Sequence, residues 1–100
     1  MQAIREGGMT MALRQEVEIV NKLGLHARAA AKLVATASRF GSEITLRRDE
    51  REANAKSIMR VMMLAASCGT TIEIHTTGED AAEAMSAIID LITDRFGEAE

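Results

Sequence analysis

The chain has no proline, tryptophan or tyrosine, and its 100 residues include only two phenylalanines and one cysteine. Each shortage excludes something. A single cysteine, Cys68, cannot form an internal disulfide, so the chain suits a reducing compartment and is expected in the cytoplasm. Aromatics at 2% leave no platform on which nucleobases could stack. Twelve Lys and Arg against fifteen Asp and Glu give a net charge of −3, which opposes non-specific binding to nucleic acid. No apolar run reaches the roughly 20 residues of a membrane span, so a membrane is not an expected partner either. The lack of proline is unusual, since an average chain of this length carries about five. Every turn here must be built without it.

What remains is a chain of 47% hydrophobic residues, enough for one domain with its own core and no metal or disulfide staples. Residues 1–12 show no apolar period and no secretory leader, and are expected to form a disordered tail ahead of a domain spanning 13–97. From Leu13 to Val20 the pattern alternates, with Leu13, Gln15, Val17 and Ile19 on one face, which predicts a strand. Gly24 breaks the period, and Ala27–Arg39 then places Ala30, Leu33, Val34 and Ala37 on one helical stripe, with Gly41 as the expected left-handed stop. Ser42–Arg47 alternates again, and the charged run Arg48–Glu52 reads as a turn before a short strand over Ala53–Ala55. Ser57 is a good helix N-cap before Ile58, Val61, Met62 and Ala65. Thr71–Thr77 predicts a further strand. Thr77-Gly78-Glu79-Asp80 resembles a capping box before a last helix reaching about Phe96. The order is βαββαβα, which predicts an α+β fold with an antiparallel sheet covered on one face by helices.

Three features carry chemistry. His26 follows a glycine turn and precedes a helix, where unpaired backbone N–H groups and the helix dipole favour an anion. An imidazole is partly neutral at pH 7, so a ring nitrogen can attack phosphorus. Arg28 adds a planar donor fork for the same oxygens. From position alone, His26 reads more readily as an ordinary polar residue at a helix start than as a phosphoryl site. Ser57 reads first as a cap; a phosphate placed there would also gain from the helix N-terminus. The segment Ile58-Met59-Arg60-Val61-Met62-Met63-Leu64 is too apolar for one helix face, so some of it should be exposed and fit a partner, the rest filling an aromatic-poor core. No metal-ligand spacing surrounds His26, and no cofactor is expected. His75 reads as a solvated strand residue and Cys68 as a small, half-buried one. Arg28 and Asn54 leave open a small acylphosphatase-like enzyme, although the Gly-rich phosphate cradle is missing.

The run Asn21-Lys22-Leu23-Gly24-Leu25-His26-Ala27-Arg28-Ala29-Ala30 resembles the phosphorylation-site motif of HPr, the histidine phosphocarrier family of the bacterial phosphotransferase system. Ala55-Lys56-Ser57-Ile58-Met59 with Val61-Met62-Met63-Leu64 resembles that family's regulatory-serine segment. Gly69–Ile74 and Thr77–Ala81 resemble its last strand and final helix entry. The resemblance implies an open-faced β-sandwich of four antiparallel strands and three helices. It implies that His26 takes a phosphoryl group from enzyme I at Nδ1 and passes it to an enzyme IIA, with Arg28 stabilising the group. Ser57 would be the target of an HPr kinase/phosphorylase, and Ile58, Met59 and Met62 would lie on the docking surface of a monomer. One departure stands out: the family usually has proline after the active-site arginine, where this chain has Ala29. Asn21–Gly24, Leu46–Glu50 and Asp94–Gly97 resemble NPr, the nitrogen-related branch, whereas Lys56–Met59 resembles serine-regulated HPr. A regulatory carrier of the nitrogen branch, without sugar transport, is therefore an alternative.

Overall fold

The computed structural model describes residues 2–6 and 10–100. Five strands and three helices follow in the order β1 (Gln2–Glu6), β2 (Thr10–Glu18), α1 (Ala27–Ala37), β3 (Glu43–Arg48), β4 (Arg51–Asn54), α2 (Ile58–Met63), β5 (Thr71–Gly78) and α3 (Ala81–Thr93). A short 3-10 turn over Arg95–Gly97 ends the regular structure. The strands form one antiparallel sheet in the order β1-β2-β5-β3-β4. The four strands β2 to β5 under three helices are the expected open-faced α+β sandwich.

Alternation decides which face is dry. On β5, Ile72, Ile74 and Thr76 are buried, while Glu73 and His75 point to the other face. The register sets Ile74 between Gln15 of β2 and Leu46 of β3, and Thr76 between Leu13 and Ile44. A one-residue slip of any strand would turn these apolar residues to solvent, so the pattern fixes the register. The Thr76 hydroxyl, fully buried, donates to the Ala81 carbonyl at 2.9 Å, which removes the penalty of an unpaired polar group. Helix α3 lays Ala81, Ala84, Met85, Ile88 and Ile92 on β2 and β5. Helix α1 adds Ala29, Ala30, Leu33 and Ala37, and its alanines let it approach α2 and α3 closely.

The structure corrects the sequence reading in several places. Gln2–Glu6 is not a disordered tail: its backbone pairs with β2 in the register Glu6↔Thr10 to Gln2↔Arg14. The reason is an edge strand, β2, whose outward N–H and C=O groups gain partners. Met1 and residues 7–9 of the same expected tail lie outside the described residues. Helix α1 ends before Gly41, with Ser38 as its C-cap and no left-handed glycine; instead the Gly41 amide donates to Asp80 at 2.9 Å. Asp80 also accepts from the amide and hydroxyl of Ser42. These donors, the Ser42 hydroxyl foremost, hold its carboxyl below the ordinary carboxylate value. Thr77 therefore does not cap α3: it lies within β5, and the N-cap position belongs to Asp80. Helix α2 stops at Met63, short of Ala65, whose φ of 52° takes the chain out of the helix. Helix α3 stops at Thr93, short of Phe96.

Candidate functional site

The turn before α1 is built by Asn21 and Gly24. The Gly24 amide donates to the Asn21 carbonyl at 3.1 Å, and the buried Asn21 side chain returns a hydrogen bond to the Gly24 carbonyl at 2.8 Å. Gly24 sits at φ 66°, and a Cβ there would lie 2.6 Å from the Ala66 carbonyl oxygen. Only glycine fits both the angle and the approach. Leu25 completes the dock by donating its amide to Ala66 at 2.9 Å. The turn before α1 thus rests against the segment that follows α2.

His26 is the N-cap of α1 by backbone position, with φ −72° and ψ 175°, but its side chain does not cap the helix. The first helical bond runs from the Ala30 amide to the His26 carbonyl at 2.8 Å, so the amides of residues 27–29 have no partner within the helix. No acidic residue occupies that first turn. The imidazole is about 28% exposed, and its Nε2 meets a carboxylate oxygen of Glu98. Nδ1 has no hydrogen-bond partner among the described residues. Arg28 is exposed, pairs with no acid among the described residues, and lines the same open hollow as Lys22, Leu23, His26 and Glu98.

The other half of the site comes from the far end of the chain. After α3 the backbone runs through Arg95 at φ 56°, Phe96 at φ 55° and Gly97 at φ 75°. This left-handed turn buries Phe96 completely. Lys32 of α1 holds it from outside, donating to the Phe96 carbonyl at 2.6 Å. Glu98 then faces the turn: one carboxylate oxygen accepts from Asn21 at 3.0 Å and the other meets His26 Nε2. The Lys22 amide donates to the Glu100 carbonyl at 2.9 Å, and its ammonium lies 3.3 Å from the Glu100 carboxylate. The Glu98 carboxyl is held below the ordinary carboxylate value, first by the hydrogen bond from His26, then by that from Asn21. Sequence reading passed over Glu98, and the expected domain end at 97 leaves it out. Its only signal is an acidic end beyond Phe96-Gly97, matching the basic pair Lys22 and Arg28 by charge.

Ser57 caps α2: its hydroxyl oxygen accepts the Arg60 amide at 3.3 Å. It is not among the residues around the His26 hollow. Ile58, Met59 and Met62 are 44%, 74% and 41% exposed, and Met63 and Leu23 join them as exposed apolar side chains. Cys68 is exposed rather than half-buried, because it lies in the loop before β5. Asn54 lines a different hollow from Arg28, and its side chain accepts the Lys56 amide at 2.9 Å. The structure does not bring together the pair that an acylphosphatase-like site would need. No group of three or more potential metal ligands occurs among the described residues, and no helix among them is long and apolar enough to cross a membrane.

The family model described as the phosphorylation site of the phosphotransferase-system HPr component matches residues 13–94. The chain belongs to the HPr family. The phosphocarrier protein HPr of Neisseria meningitidis is 56% identical over 88 residues, covering 88% of this chain and 99% of that protein. The phosphocarrier protein NPr of Shewanella violacea is 46% identical over 87 residues, covering 87% and 96%. Among solved structures, HPr-C-His of Thermoanaerobacter tengcongensis superposes with a TM-score of 0.85 at 45% identity, covering 88% of this chain and 99% of that one. An HPr dimer of the same organism, 49% identical with a TM-score of 0.70 and covering 82% and 94%, gives the expectation of a monomer no support. As an HPr-family member, the chain is a phosphocarrier of the phosphotransferase system.

Proposed function

We propose that His26 is the phosphoryl acceptor, taking the group from enzyme I and passing it to an enzyme IIA. One observation supports this above the rest: a half-buried imidazole whose Nδ1 has no partner among the described residues, at a helix start with N–H groups unpaired within the helix, in one hollow with Arg28. The Nδ1 lone pair attacks phosphorus, and the bond from phosphorus to the donor breaks with its electrons going to the donor. The arriving dianion meets the helix N-terminus and the Arg28 fork. Incubation with enzyme I and phosphoenolpyruvate should yield an acid-labile, base-stable phosphoprotein. Label retained after His26→Ala would refute the assignment.

Ser57 serves as the regulatory site for an HPr kinase/phosphorylase. A dianion at the start of α2 would stand beside Ile58 and Met59 on the apolar docking surface and disfavour enzyme I. Ser57→Asp should slow phosphorylation of His26, and equal rates would count against this role. The greater identity to the HPr relative than to the NPr relative favours the HPr branch over the nitrogen branch. Comparing transfer to a sugar-branch and a nitrogen-branch enzyme IIA separates the two. The protein works in the cytoplasm, where both partners would meet it.

A further inference from the structure

We infer that Glu98 is a positioning residue for His26, selecting the tautomer in which Nε2 carries the proton and Nδ1 carries the lone pair. This rests on the reading of His26 as phosphoryl acceptor.

An ionised carboxylate can only accept, so the His26 Nε2 that meets it must donate. In a neutral imidazole a protonated Nε2 leaves Nδ1 unprotonated, and the partner of one nitrogen thereby sets the state of the other. The carboxylate is itself fixed. Its second oxygen accepts from Asn21, which is fully buried and anchored on the Gly24 carbonyl of the same turn. Both oxygens are thus committed to the turn that presents His26. Behind them the buried Phe96, with Lys32 on its carbonyl, holds the backbone from which Glu98 projects.

The same contact serves the phosphorylated state. When the Nδ1 lone pair forms the bond to phosphorus, the Nε2 proton stays in place and the ring becomes an imidazolium. The Glu98 carboxylate then pairs with that cation at the nitrogen away from the phosphoryl group. The charged groups around it are Lys22 and Arg28 at the hollow, Lys32 of α1, and Glu100 beside Lys22. The cations outnumber the one further carboxylate, so an ionised Glu98 is tolerated next to an incoming dianion.

The test begins on the unphosphorylated protein. Long-range 1H–15N spectra of His26 above its titration read the tautomer directly. The natural chain should show a protonated Nε2 and an unprotonated Nδ1. Glu98→Ala should give mixed tautomers and a roughly three- to tenfold slower phosphorylation by enzyme I, less than the loss of a fully buried charge-assisted hydrogen bond because His26 is partly exposed. Glu98→Gln, with a single acceptor oxygen to share between Asn21 and His26, should recover the tautomer in part and the rate less. Amide spectra of each variant check the fold. An unchanged tautomer and rate in Glu98→Ala would overturn the inference, as would a faster rate, which would mark the carboxylate as an obstacle. His26→Ala tests the underlying reading separately, since its loss of label does not depend on Glu98.

Discussion

Phe96 joins two opposed effects at one residue, and they can be measured apart. Its side chain is fully buried, while its backbone sits at φ 55° between two other left-handed residues. For an L-residue that conformation costs about 1–2 kcal/mol. Burial of the ring offsets it: Phe→Ala truncation in a core costs about 3–5 kcal/mol. Phe96→Ala keeps the strain and loses the ring, so its full expected loss is that about 3–5 kcal/mol. At roughly 4–8 °C per kcal/mol for a chain of this size, the melting temperature should fall by about 12–40 °C. Phe96→Gly then changes only the backbone term relative to Ala. It relieves about 1–2 kcal/mol of strain and costs about 0.4–1 kcal/mol through the looser unfolded chain. Gly should therefore equal Ala or exceed it by up to about 1.6 kcal/mol. With no tryptophan or tyrosine, unfolding is followed by far-ultraviolet circular dichroism in urea. Exchange of the Lys22 amide, which donates to Glu100, reports release of the end of the chain. A loss below about 1.5 kcal/mol in Phe96→Ala, under half the core range, would refute the anchoring role. A Gly variant less stable than Ala would refute the strain.

Three further outcomes follow from other residues. Ala29 precedes the first helical hydrogen bond, so Ala29→Pro loses none and should add roughly 0.4–1 kcal/mol in urea unfolding. A lower midpoint would show that the buried position has no room for the ring. Ser57→Ala removes the α2 cap and should cost about 0.5–1 kcal/mol, at the low end because the bond is long at 3.3 Å; no change would mean that the cap contributes nothing. Glu98 and Asp80 both have carboxyls held below their ordinary values, Glu98 first by His26 and Asp80 first by Ser42. Folding thus gains from their ionised forms above the usual carboxylate range and loses that gain as pH falls below about 4. The urea midpoint should decline there more steeply in the natural chain than in Asp80→Asn, and parallel profiles would refute it.

How far the fold was legible depended on how local its causes are. The β2, β3 and β5 strands were readable because Leu13, Ile44, Leu46, Ile72 and Ile74 alternate with polar residues over a dry face. The extent of α2 was not, because Met59, Met62 and Met63 make its surface apolar all round and hide the end. That end depends on Arg48, which donates to the carbonyls of Leu64 and Ala65 at 2.9 and 3.0 Å from a distant hairpin. Gly41 looked like a helix stop because its partner, Asp80, lies 39 residues away. At the site, His26 and Arg28 stood out through their neighbours in sequence. Glu98 did not, since its contact with His26 spans 72 residues and no local pattern encodes it.

The pairing of β1 has a consequence for how copies of the protein meet. A bare sheet edge is a template for any passing strand, and the nine-residue β2 would offer a long one. Strand β1 occupies it with five residues in antiparallel register. The opposite edge, β4, has only four residues, and its Arg51 and Glu52 are exposed charges. The sheet thus ends on one side in the five residues of β1 and on the other in a short charged margin. Removal of residues 2–6 would exchange the five-residue border of β1 for the nine-residue border of β2, and so lengthen the edge with which a strand of another molecule can pair.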